Sequence, residues 1–60
     1  MKPSDIASYA RALYEAHGDA AEAEATQKAS AAQAEGRPEE AEDWRRVRAS
    51  IAQIRGAHVS

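Results

Sequence analysis

Asp19–Gly36 reads DAAEAEATQKASAAQAEG, and no apolar side chain in it is larger than a methyl group. The stretch still has a helical composition. It holds eight alanines, the strongest helix former, and Thr26 is its one β-branched residue. On a helical wheel the alanines divide into two nearly opposite arcs: Ala21, Ala25, Ala29 and Ala32 on one, Ala20, Ala23, Ala31 and Ala34 on the other. Glu22, Thr26, Ser30 and Gln33 separate the arcs on one side, Glu24, Lys28 and Glu35 on the other. Two apolar arcs predict a helix with a neighbour on each side. Methyl groups allow close backbone approach, so large side chains from those neighbours would lie over them.

Asp19 is a natural N-cap with Glu22 three residues on, a capping-box variant, and Gly36 suits the position just past the end, which predicts a helix over 20–35. The preceding segment predicts a helix over 5–17, with Ser4 as N-cap, Pro3 outside and Gly18 as terminator. Ile6, Tyr9, Ala10, Leu13, Tyr14 and His17 share one arc of about 140° on it. A third helix, 38–55, begins at Pro38, a residue favoured at the first helical position. Glu39, Glu40, Glu42 and Asp43 load its start and Arg45, Arg46, Arg48 and Arg55 follow, matching the helix dipole. Glu42 and Arg46 form an i,i+4 pair. Gly56 is expected to close it, leaving 57–60 as a tail. Trp44, Val47, Ile51 and Ile54 follow 3-4-3 spacing, a narrow seam suited to packing along another helix.

No segment alternates as a strand does. The expected class is all-α: one domain over 1–60, built as a helical hairpin or small three-helix bundle. Tyr14, Gly18, Asp19 and Ala23 are spaced in a way that resembles the middle of a tetratricopeptide repeat, where a helical hairpin turns at Gly-Asp. Gln27, Glu35 and glycines only 18 residues apart depart from that repeat, so the resemblance implies a hairpin turn alone.

Of the 26 hydrophobic residues, 16 are alanine; the large ones are Met1, Ile6, Tyr9, Leu13, Tyr14, Trp44, Val47, Ile51, Ile54 and Val59. So small a set predicts that the core is completed by association, first of all as a homodimer, otherwise on a larger protein. The expected interface is Tyr9, Leu13, Tyr14, Trp44, Val47, Ile51 and Ile54. Cysteine is absent, which removes disulfides and thiolate chemistry. No apolar run has the length of a membrane span, and a cytoplasmic location is the default expectation.

Candidate chemistry is sparse. His17 and His58 are the histidines, and neither stands in a metal-ligand pattern; His17 reads as a helix-end residue and His58 as tail or seam extension. The acids at 39–43 are accounted for by helix-start electrostatics rather than by acid–base catalysis. No nucleophile–base set, phosphate-cradling glycine loop or cofactor motif is present. Catalysis, cofactors and metals are therefore not expected. The net charge of −2 divides into −3 over 1–36 and +1 over 37–60. Arg45, Arg46, Arg48 and Arg55 support an alternative, a nucleic-acid-associated regulator, although Arg45, Arg46 and Arg48 are expected to point three ways. The third helix also has the pattern of an amphipathic surface helix, with a thin apolar face.

Overall fold

The computed structural model describes residues 2–57, without the side chain of Pro3. Three helices follow one another: α1 (Pro3–His17), α2 (Ala20–Ala34) and α3 (Pro38–Ala57). Each packs on the other two, with α2 and α3 the most extensive pair. The result is an elongated three-helix bundle of 40 × 21 × 16 Å. The all-α class and the three helices expected from the sequence are present.

The helix ends differ from expectation in three places. First, α1 opens at Pro3, not after Ser4, with extended Lys2 as N-cap and its carbonyl accepting from the Ile6 N–H at 3.0 Å. Proline fits the first helical position because its missing N–H has no intrahelical partner there, which carries Ser4 inside the helix. Second, Asp19 makes no side-chain cap. Its φ of −62° and ψ of −25° are helical, whereas a capping residue needs extended backbone to turn its carboxylate onto the next N–H groups. Glu22, the other half of that expected box, reaches Arg55 instead. Third, Gly56 lies inside α3 and does not end it; its φ is not positive, and the helix runs on to Ala57. His58 and the rest of the expected tail lie outside the described residues.

Gly18 explains the sharp α1–α2 turn. Its φ of +59° and ψ of −132° match the first central residue of a type II′ turn, with Asp19 in the second place. Its N–H donates to the Tyr14 carbonyl at 2.7 Å and its carbonyl accepts from Ala21. Gly36, at φ +75°, ends α2 as anticipated, followed by the Arg37 N–H bond to the Ala32 carbonyl. These backbone states give opposite expectations for two glycine-to-alanine changes. Gly18→Ala should lower stability by about 1–3 kcal/mol, since a Cβ is strained at that φ and ψ. Gly56→Ala should raise it by roughly 0.5–1 kcal/mol, the helix-propensity gain at a position with nothing within 4 Å of a new methyl. Thermal melting of the two variants checks both signs.

The core is built on one alanine face of α2. Ala21 and Ala25 are at 0% exposure and Ala29 and Ala32 are nearly so, while Ala20, Ala23, Ala31 and Ala34 face solvent. The expectation of two covered arcs is corrected. In a triangular bundle the neighbours of α2 both lie on its inner side, so α1 and α3 share one methyl face instead of taking one each. Ile6 and Ala10 of α1 and Val47 and Ile51 of α3 meet there, with Leu13, Tyr14, Trp44 and Ile54 packed partly buried around them. Ala41 is also fully buried, a core position outside the 3-4-3 seam. No buried residue is polar or charged among those described.

Candidate functional site

The seven expected interface residues divide between interior and surface. Val47 and Ile51 are at 0% exposure, enclosed by the chain's own helices. Leu13, Tyr14, Trp44 and Ile54 are half-buried against the core. Tyr9 is 40% exposed, the one large hydrophobic residue in that condition among the described residues.

Tyr9 and Trp44 meet across α1 and α3. Their ring centroids are 5.4 Å apart with planes at 76°, an edge-to-face pair. Such a contact adds about 0.5–1.5 kcal/mol to the area it buries. Lys28 of α2 brings its Nζ to 5.3 Å from the Trp44 ring centroid, a cation–π contact that ties the third helix to the pair. Trp44 also borders a shallow recess with Lys28, Ala31, Glu35, Arg37 and Glu40. Arg37 holds that rim together, 3.7 Å from Glu35 and 3.4 Å from Glu40. An aromatic centre ringed by charged side chains is thus assembled from all three helices. The sequence placed Tyr9 and Trp44 on apolar faces but gave no sign of the Lys28 contact, because Lys28 sits on what reads as a plain polar flank.

Ile54 lies elsewhere, in a groove of about 450 Å³ between α1 and α3 lined also by Ala7, Arg11, Glu15 and Ser50. His17 closes the other end of the α1–α2 contact. Its Nδ1 stands 3.1 Å from Glu24 Oε2, although the approach is not aligned as a hydrogen bond and leaves that secluded oxygen without one. The helix-end placement expected for His17 holds, with Glu24 as its acidic neighbour. Among the described residues, no three His, Asp or Glu side chains gather in a way that could hold a metal ion.

The arginines are arranged differently from expectation. Arg46 turns away and pairs with Glu42 at 3.8 Å. Arg45 and Arg48, however, line the same α2–α3 groove rather than diverging. Positions i and i+3 are only about 60° apart on a helix, close enough for two long side chains to converge. Arg45 reaches both Glu42 (3.6 Å) and Gln33, and Arg55 reaches Glu22 at 3.0 Å. Arg48 has no ion-pair partner among the described residues.

Fold and surface together define a small all-α bundle bearing a partly exposed aromatic pair. Comparison of the chain with protein-family models, with curated proteins and with solved structures finds no match. Among the described residues, no helix is long and apolar enough to cross a membrane.

Proposed function

We propose that the protein is a non-enzymatic association module of the cytoplasm, pairing with a second copy of itself through the surface centred on Tyr9 and Trp44. The observation that carries this reading is the edge-to-face pair at the surface, in which Tyr9 is exposed and Trp44 half-buried. Tyrosine and tryptophan are the residues on which interface energy concentrates, especially when a polar rim shields them from water. Lys28, Glu35, Arg37 and Glu40 supply such a rim, and a twofold arrangement would bring the rim's cations of one copy against the acids of the other. Leu13, partly buried one turn after Tyr9 on α1, would extend the contact. A standard interface takes roughly 800 Å² per partner, about one fifth of the 4160 Å² accessible surface of this chain. The energetic gain is correspondingly large for so small a core.

Sedimentation of the purified chain at micromolar concentration tests the reading. A species of about twice 6.5 kDa is expected. Tyr9→Ala should weaken the dimer by about 30-fold or more while leaving helix content unchanged, because Tyr9 contributes little to the enclosed core. A wild-type chain that sediments at 6.5 kDa even at high concentration would rule out the second copy. Capture of a larger protein by the same surface, lost in the Tyr9 variant, would then define the partner.

The alternative of nucleic-acid binding through Arg45, Arg46, Arg48 and Arg55 has less support. Arg45, Arg46 and Arg55 are each paired with a glutamate of this chain, which offsets the positive field that phosphate backbones require.

A further inference from the structure

The flanks of α2 and α3 that meet outside the core form a ladder of polar rungs. At one end Arg45 Nη2 donates to Gln33 Oε1 at 3.0 Å. At the other Arg55 Nη1 pairs with Glu22 Oε2, also at 3.0 Å. These two contacts fix an antiparallel register. Moving three residues forward from Arg45 and three back from Gln33 brings Arg48 opposite Ser30, and both line a groove of about 380 Å³ with Thr26, Ala29, Gln33 and Arg45. The middle rung therefore has an arginine and a hydroxyl, while the Gln33 amide and the Glu22 carboxylate nearby are held on the rungs either side by Arg45 and Arg55. Neither Arg48 nor Ser30 has a side-chain partner among the described residues. The Thr26 hydroxyl is committed, donating to the Glu22 carbonyl at 3.0 Å. Alanine methyls at Ala29 and Ala34 keep the groove floor low.

We propose that this rung is an oxyanion site, taking a phosphate group between the Arg48 guanidinium and the Ser30 hydroxyl, beside Arg45, which stays held by Gln33 and Glu42. A guanidinium fork and a hydroxyl arriving from two helices suit a tetrahedral group with several acceptor oxygens better than a planar carboxylate, which the guanidinium alone saturates. The groove is open to solvent, so one oxygen faces outward and a phosphate monoester fits as well as the free ion. The site lies on the flank of α2 opposite Lys28, away from the aromatic pair, and does not depend on the association described above.

The test is an NMR titration of the folded chain, following backbone amides and arginine Nε–H groups, with ionic strength held constant by chloride. Inorganic phosphate is one probe and glycerol phosphate the other. Saturable shifts at Ser30, Arg45 and Arg48 are expected, with a Kd on the order of 1 mM for a few solvent-exposed charge-assisted bonds. Arg48→Gln should weaken binding about 10-fold. Ser30→Glu, which tethers a carboxylate opposite Arg48, should abolish it while keeping the fold, and Arg46→Gln should bind as the wild type does. Saturation by both probes assigns phosphate monoesters to the site; saturation by inorganic phosphate alone assigns the free ion. The proposal is overturned by a linear drift of all arginine signals together, or by an Arg48→Gln chain that binds phosphate undiminished. Binding of a single-stranded oligonucleotide at these residues, without any effect of phosphate itself, would also overturn it in favour of an extended interface.

Discussion

Replacing Ile51 with alanine is expected to remove a large share of the stability of the chain. Ile51 is one of the two largest fully enclosed side chains, and Val47 is the other. It belongs to the core cluster in which Ile6 and Ala10 of α1, Ala21 and Ala25 of α2 and Val47 of α3 come together. Truncating a buried isoleucine to alanine removes its transfer energy and leaves a cavity, at a cost of about 2–5 kcal/mol. A domain of this size has a total stability of roughly 3–9 kcal/mol. Few large neighbours are present to relax into the space, since alanine methyls line one whole wall of it. The measurement is a urea titration followed by far-ultraviolet circular dichroism. With a slope near ~1 kcal/mol per molar for so short a chain, the midpoint should fall by about 2 M or more. A fall of less than about 0.5 M would mean that Ile51 is not enclosed as described.

The second large effect separates the two faces of α2. Ala25→Leu adds three carbon atoms at a position with 0% exposure, between helices already at close approach. Overpacking of this kind costs about 1–3 kcal/mol through displaced helices and strained rotamers. For a short domain that corresponds to a fall in Tm of roughly 5–20 °C. Ala23→Leu, two residues earlier on the outer face, adds the same atoms to solvent and should shift stability by no more than about 0.5 kcal/mol. Calorimetry of the pair distinguishes one covered face from two. Equal losses in the two variants would restore the two-neighbour reading of the alanine helix.

That reading failed for a reason internal to the sequence. The wheel of α2 shows two equivalent alanine arcs, and methyl groups carry no mark of which arc is covered. The decision rests with α1 and α3, whose large residues are unambiguous, and the 3-4-3 pattern from Trp44 to Ile54 does place Val47 and Ile51 on the inner side. Ala41 went unrecognised because it lies one turn before that pattern begins. Helix positions were legible from Gly18, Gly36 and Pro38, each a strong backbone signal. Helix ends were less so. Ser4 and Asp19 have capping side chains, but whether they cap depends on backbone angles that Pro3 and the Gly18 turn dictate. For the surface, apolar periodicity pointed to Tyr9 and Trp44. The convergence of Arg45 and Arg48 needed the register between α2 and α3, which only Gln33–Arg45 and Glu22–Arg55 disclose.

The brevity of the connections has a kinetic consequence. Two residues join α1 to α2 and three join α2 to α3, so α2 meets each partner after closing only a tight turn. Distant parts of the chain meet in the α1–α3 contact and at the far end of the α2–α3 hairpin, where Glu22 pairs with Arg55. Helical domains dominated by such local contacts cross their folding barrier in microseconds to milliseconds. A chain leaving the ribosome would thus spend little time with its isoleucines and indole uncovered.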